Sequence, residues 1–288
     1  MSVSAINHPG PALLAREATA RYGPVPRALG GKPIGPGAML LNEDSFLLHS
    51  GTGYGLFYRQ GEGVTIERDP AADPAEEELW LNGSVYAAIA AINGFLPFHA
   101  SAVAWQGRVH AFSGPSGAGK STLVAALGGH GLPLFCDDTL VLDVSKPDQV
   151  LCLPGHKRLK LAPDALALTG ASAQERVAAV VDKHYAKPAG GTLQEVLPLA
   201  ELVFLEDGAP PGFARIEGAR KIARLNDDHY THDLFAAARD EDNAVRFARI
   251  AGIASRIAMQ RLVRPRDLAC FAEVTAQVAG HIKESALS

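Results

Sequence analysis

The 288-residue chain is short of several features that mark large protein classes. It has only three cysteines, Cys136, Cys152 and Cys270, in no C-x-x-C spacing. Such a sparse, odd set fits a reducing cytoplasm. It has no excess of positive charge: 27 Lys and Arg against 31 Asp and Glu leave a formal net charge of −4. Nucleic-acid binding is driven by phosphate neutralisation, so no nucleic-acid partner is expected. It has no long apolar run either. The most apolar stretch, "VYAAIAAINGFLPFHASAVAW", is broken by Asn93, Gly94, Pro97 and His99. A membrane helix needs about 20 apolar residues, so this stretch reads as a buried helix followed by a strand, with no membrane partner. The opening "MSVSAINHPGPALLARE" lacks a basic stretch followed by an apolar core, and no signal peptide is expected. The expectation is a soluble, cytoplasmic protein with one large domain or two modest ones. No internal repeat is visible.

What is present is organised. Residues 1 to about 38 are rich in Gly and Pro and predict irregular structure or short edge strands. Residues 39–68 read as short strands with glycine turns, and "GTGYG" among them is a hairpin turn because no helix pattern follows it. Residues 69–78, "DPAADPAEEE", form an acidic linker or the approach to a helix. A helix is predicted from Ser84 to Asn93, with Ser84 as N-cap and Gly94 as the stop. "FHASAVAWQGRVHAFSG" reads as two strands turned at Gln106-Gly107. Further on, "LFCDDTLVLDV", "HKRLKL", "LAELVFLE" and "IAMQRLV" read as strands. "PDALAL" and "SAQERVAAVVDKHY" read as helical pieces, and a last helix has Pro265 in its first turn and ends near Lys283.

The second strand of the hairpin runs into "GPSGAGKST", residues 114–122. Gly114, Gly119, Lys120 and Ser121 complete the pattern G-x-x-x-x-G-K-[ST], with a strand before and a helix after. Glycines in such a loop let backbone N–H groups converge on phosphate oxygens at a helix N-terminus. The span Gly114, Pro115, Ser116, Gly117, Ala118, Gly119, Lys120, Ser121 and Thr122 therefore predicts an ATP site. Lys120 would reach the β- and γ-phosphates and Ser121 would ligate magnesium. An acidic pair, Asp137-Asp138, ends an apolar strand 17 residues after Lys120. Phosphoryl transfer needs one carboxylate for the metal and one group to position the acceptor. Strand alternation would point neighbours to opposite faces, so a local kink is required to aim both at one phosphate. His99, on the strand before the hairpin, lies near the mouth of the loop or is a satisfied core residue.

The segment "FHASAV … GRVHAFSGPSGAGKSTLVAALGGHGLPLFCDDTLVL" resembles the core of the HPr serine kinase family, strongly over about residues 97–145 and more weakly beyond. The family has a His on the strand before the loop, a G-x-S-G-x-G-K-S loop and a D-D pair after a short helix. The resemblance implies an α/β fold of the HPr kinase and phosphoenolpyruvate carboxykinase type. On that basis residues 95–288 are the kinase core and residues 1–94 a β-rich accessory region. It implies ATP and Mg2+ as cofactors. Asp137 matches the proposed general base, Asp138 the metal-side partner, and the two can exchange roles. His99 and Lys120 complete the catalytic set. The E-x-R-G-x-G segment of the bifunctional kinase/phosphorylases is absent, which argues against the phosphorylase reaction and against HPr as substrate. The chain is more similar to the related kinases of lasso-peptide clusters. The acceptor then expected is the C-terminal serine of a precursor peptide. A kinase of a folded phosphocarrier, a non-catalytic nucleotide-binding module and a small-molecule kinase are the alternatives, and a homo-oligomer is left open.

Lesser candidates complete the reading. Arg158 and Lys160 share one face of "HKRLKL"; that face holds phosphates or a peptide carboxylate, or is a solvated edge. Lys183, with His184 and Lys187, sits in a predicted basic loop that closes on substrate or is simply solvated. "DDHYTHD", with His229 and His232, has metal-like spacing, but a capped helix start explains it more simply. Cys136 receives no chemical role.

Overall fold

The computed structural model describes residues 6–226 and 243–285. Helix α1 (Gly10–Glu17) stands where the sequence predicts irregular structure or edge strands. Pro11 in its first turn presets the backbone for a helix start. Strands β1 (Ala20–Tyr22), β2 (Ala28–Leu29), β3 (Lys32–Pro33), β4 (Ala38–Leu41), β5 (Ser45–His49), β6 (Tyr54–Arg59) and β7 (Gly63–Arg68) follow. Five of them form one sheet in the order β1-β7-β6-β5-β4, while β2 pairs with β3. "GTGYG" turns β5 into β6 as predicted, with Gly53 at φ 100°.

Helix α2 (Ala75–Trp80) passes through a π turn (Leu81–Val85) into α3 (Tyr86–Ile92). The helix thus begins well before Ser84, which lies inside the π turn and caps nothing. The acidic stretch is its first turn: Glu76, Glu77 and Glu78 suit the positive end of a helix. Gly83, at φ −101° and ψ −107°, breaks the helical geometry in the π turn. Gly94 ends the helix in the left-handed region, as expected.

Strands β8 (Leu96–Trp105) and β9 (Arg108–Ser113) form the predicted hairpin. Gln106 and Gly107 both have positive φ, the backbone of a tight two-residue turn. Helix α4 (Lys120–Gly129) follows the glycine-rich loop. Then come β10 (Leu134–Cys136), β11 (Thr139–Asp143), β12 (Leu151–Leu153), β13 (Leu159–Leu161) and α5 (Pro163–Thr169). "SAQERVAAVVDKHY" is a second hairpin rather than helix: β14 (Ala173–Ala178) and β15 (Val181–Ala186). β15 also pairs with β13, Lys160 opposite Tyr185, and this buries Tyr185 and Ala186. Pairing available only in three dimensions outweighs the local pattern. Lys183 consequently lies on a strand and not in a loop.

The chain continues through β16 (Leu197–Asp207), β17 (Gly212–Arg215), α6 (Ala219–Asn226), α7 (Asn243–Arg256) and β18 (Ala258–Arg264). After a 3-10 turn (Leu268–Cys270), α8 (Phe271–Ser285) closes the described chain. This last helix starts at Phe271, not at Pro265, because Asp267 caps the 3-10 turn by accepting from the Ala269 N–H at 2.9 Å. The segment "DDHYTHD" lies outside the described residues. Among the described residues no helix is long and apolar enough to cross a membrane.

The result is a mixed α/β fold with several sheets. Strand β8 is its hub. One edge pairs with β11 near His99 and with β10 near Ala102, and the other pairs with β9. β9 is parallel to β16, and β16 is parallel to β18. The C-terminal ends of these three strands therefore emerge on one side, the usual place for a ligand in an α/β sheet. Leu123 and Leu127 of α4 pack with Val274 and Val278 of α8 over Phe112 of β9. That apolar layer anchors the helix behind the glycine-rich loop. The N-terminal sheet packs on α3 in a separate core that Val141 and Leu153 join.

Candidate active site

The glycine-rich loop of residues 114–119 leaves β9 at Ser113 and turns into α4 at Gly119. Gly117 and Gly119 both have φ near 80°, a conformation that disfavours any side chain. The Ala118 N–H donates to the Pro115 carbonyl at 3.0 Å, which tightens the loop. Lys120 is buried and folds back over it, donating to the carbonyls of Gly114 at 2.7 Å and Pro115 at 3.2 Å.

The acidic pair has the kink that the sequence requires. Asp138 sits at φ 74°, and the Thr139 N–H returns to the Asp137 carbonyl at 2.9 Å. Aspartate tolerates this left-handed backbone better than most residues, at a cost of about 1 kcal/mol. The kink sends the two carboxylates to different tasks. Asp137 is buried and accepts from Ser121 at 2.8 Å, from Ser101 at 2.6 Å and from the Lys160 N–H at 3.1 Å. Asp138 faces a cavity and forms an ion pair with Lys160 at 2.6 Å. Burial pushes the Asp138 carboxyl up, but Lys160, with help from His99 and Lys183, outweighs this and holds it below its ordinary range.

His99 reaches the same place from β8. Its Nδ1 lies 3.1 Å from the Asp138 carbonyl and 3.5 Å from the Asp138 carboxylate. A carbonyl only accepts, so Nδ1 carries the proton. Burial and the charge of Lys120 lower the His99 pKa.

His99, Lys120, Ser121, Asp138 and Lys160 line a cavity of about 370 Å3. Its walls are the loop residues from Ser116 to Thr122, then His99, Asp138, Lys160 and Lys183, and an apolar end at Leu168, Leu268 and Phe271. Gly114 and Pro115 form the base of the loop behind it. A second, slightly larger cavity of about 430 Å3 surrounds Glu201 at the other end of the parallel strands, and it contains no part of the loop. The first holds the glycine-rich loop and is the candidate site.

Of the predicted residues outside the loop, Asp137 is buried and does not line the cavity, and Arg158 is directed elsewhere. It binds Glu78 at 3.0 Å and Glu175, and its guanidinium stacks 3.6 Å from the centre of the Tyr185 ring. It ties β13 to α2 and does not line the cavity. Two further residues join the site without having been singled out from sequence. Ser101 stands two positions after His99 on the same face of β8, a signal that alternation offers. Arg264 ends β18, lines the cavity and donates to the Ala118 carbonyl. Its signal is the run "RLVRPRD", basic at a strand end. Among the described residues no group of three His, Cys, Asp or Glu side chains is arranged to hold a metal. The hydroxyl of Ser121 and the carboxylate of Asp137 are hard oxygen donors, and they fit magnesium bound jointly with phosphate oxygens.

No family model matches the chain, and no curated protein matches it. Among solved structures the chain is similar to the HPr(Ser) kinase/phosphatase from Coxiella burnetii. The identity is 13%, with 65% of this chain and 97% of that chain covered, and the TM-score is 0.35. A likeness of that strength carries no functional weight.

Proposed function

We propose that the protein is an ATP-dependent kinase of the HPr-kinase type that phosphorylates a serine hydroxyl on a peptide. The observation that carries this reading is the division of labour within the acidic pair. Asp137 is bonded to the phosphate-loop Ser121, while Asp138, one residue on, faces the cavity beside His99 and Lys160. A mere nucleotide-binding module has no need of the second carboxylate.

Lys120 leaves the loop carbonyls for the phosphate chain when nucleotide enters. Ser121 and Asp137 would hold magnesium, which would neutralise charge on phosphate oxygens. Asp138 accepts the proton of the acceptor hydroxyl. Lys160 keeps it ionised, and His99 fixes its backbone by donating to its carbonyl. These roles reverse the sequence-based assignment, which puts Asp137 at the acceptor and Asp138 at the metal. A buried carboxylate that already accepts three hydrogen bonds is poorly placed to meet an incoming hydroxyl. The acceptor is the C-terminal serine of a lasso-type precursor peptide, a reading that rests on the resemblance of the loop region.

The test is incubation with magnesium, ATP and candidate peptides, followed by mass spectrometry. One added phosphate located on a serine supports the reading. If wild-type protein and the Asp138→Asn variant modify every peptide equally little, the kinase claim fails. Transfer to a phosphocarrier protein but not to peptides would move the assignment to the HPr-type alternative.

A further inference from the structure

The cavity is asymmetric about the phosphate loop, and the strand order shows how. β9, which feeds the loop, lies between β8 on one side and β16 on the other, with β18 beyond. His99 and Asp138 approach from the β8 side. Arg264 approaches from the β18 side, and past it stand the turn at Leu268 and the start of α8.

Arg264 is a cation without an anion. Among the described residues it forms no ion pair, and its Nε is buried with no hydrogen-bond partner. Asp207, its neighbour in register on β16, is bonded instead to Arg266 at 2.8 Å. Burial lowers the Arg264 pKa. Among the described residues the guanidinium donates to a loop carbonyl, that of Ala118. A side-chain carbon at Gly119 would come within 2.9 Å of Nη2, so the glycine leaves room for this approach. A desolvated guanidinium with a spare donor beside a phosphate loop is built to receive phosphate oxygens.

Beyond it the cavity wall turns apolar. Leu268 is 64% exposed, an uncovered large hydrophobic residue on the 3-10 turn. Phe271 and, across the cavity, Ala165 and Leu168 of α5 complete a slot. Such a slot suits the flat face of a base.

Resting on the nucleotide reading above, we infer that Arg264 grips the α,β-diphosphate and that the slot between α5 and Leu268 takes the nucleobase. The nucleotide then lies with its base toward β18 and its terminal phosphate toward His99 and Asp138. The acceptor enters from the β8 side.

Two ligands separate the parts: magnesium ADP and magnesium pyrophosphate, each titrated calorimetrically into full-length protein. Arg264→Met should weaken both by about 10- to 100-fold, the range for a lost charge-assisted hydrogen bond. Arg264→Lys keeps a charge and guards against misfolding; it should lose less than Arg264→Met and still weaken both. Leu268→Ser, at an exposed position, should weaken ADP by about tenfold and leave pyrophosphate unchanged. If Leu268→Ser binds ADP as wild type does, the base lies elsewhere and the orientation is overturned. If both Arg264 variants bind both ligands as wild type does, the diphosphate grip is overturned while the kinase reading stands. If wild type binds neither ligand, the nucleotide reading itself falls.

Discussion

At the scale of single residues, the site depends on one unusual backbone angle. Asp138 at φ 74° lets adjacent carboxylates turn to different partners, Asp137 to Ser121 and Asp138 to Lys160. The two are therefore not equivalent, and their variants should fail differently. Asp137→Asn should weaken magnesium-dependent nucleotide binding, because Ser121 loses the carboxylate that orients it. Asp138→Asn should leave nucleotide binding near wild type and lower turnover by about 100-fold or more, the usual loss with a general base. Binding and steady-state transfer measured on both variants check this. The reverse pattern would restore Asp137 as the base. Lys160 bridges the two: its backbone N–H serves Asp137 and its ammonium serves Asp138.

At the scale of elements, the phosphate loop is a fit between a turn and its neighbours. Gly119→Ala should destabilise the protein by about 1–2 kcal/mol through its left-handed backbone alone. Thermal unfolding without ligand measures that cost. Nucleotide affinity should fall as well, since the added carbon crowds Arg264. The β8–β9 hairpin, the loop and the need for a kink at the acidic pair are all legible in the sequence. Each is written in consecutive residues whose backbone demands are local. The start of α2 is harder to place, because "DPAADPAEEE" reads equally as a linker or the approach to a helix until its glutamates are seen to form a first turn. The β14–β15 hairpin is disguised by a helical pattern that yields to pairing with β13, a strand on the far side of α5 in the chain. Ser101 and Arg264 escape notice for the same reason. Their meaning comes from strands that meet the loop only in the folded chain.

At the scale of the whole molecule, a buried charge network braces the far end of the parallel strands. Glu201 of β16 accepts from His110 of β9 at 2.9 Å, from Gln260 of β18 at 2.6 Å and from His281 of α8 at 3.1 Å. Although burial opposes it, these partners hold the Glu201 carboxyl down at about 2. The hydrogen bond to Glu201 outweighs burial and raises His281 above 6.5. A depressed acid contributes stability above its unfolded value of 4.5, lost as pH falls through 2. A raised histidine contributes below 6.5, lost as pH rises through its folded value. Glu201→Gln should therefore cost about 3 kcal/mol, most between pH 4.5 and 6.5, with the deficit shrinking on either side. Urea titrations of both proteins across pH measure the gap. The bracing also has a temporal side. The loop, residues 114–121, is synthesised well before β16 and β18, the strands that complete the sheet around β9. A nascent chain carrying only the motif has a phosphate loop but lacks Arg264 and the apolar slot. On the reading proposed above, the grip on nucleotide is complete only once β18 and the turn that follows it have left the ribosome.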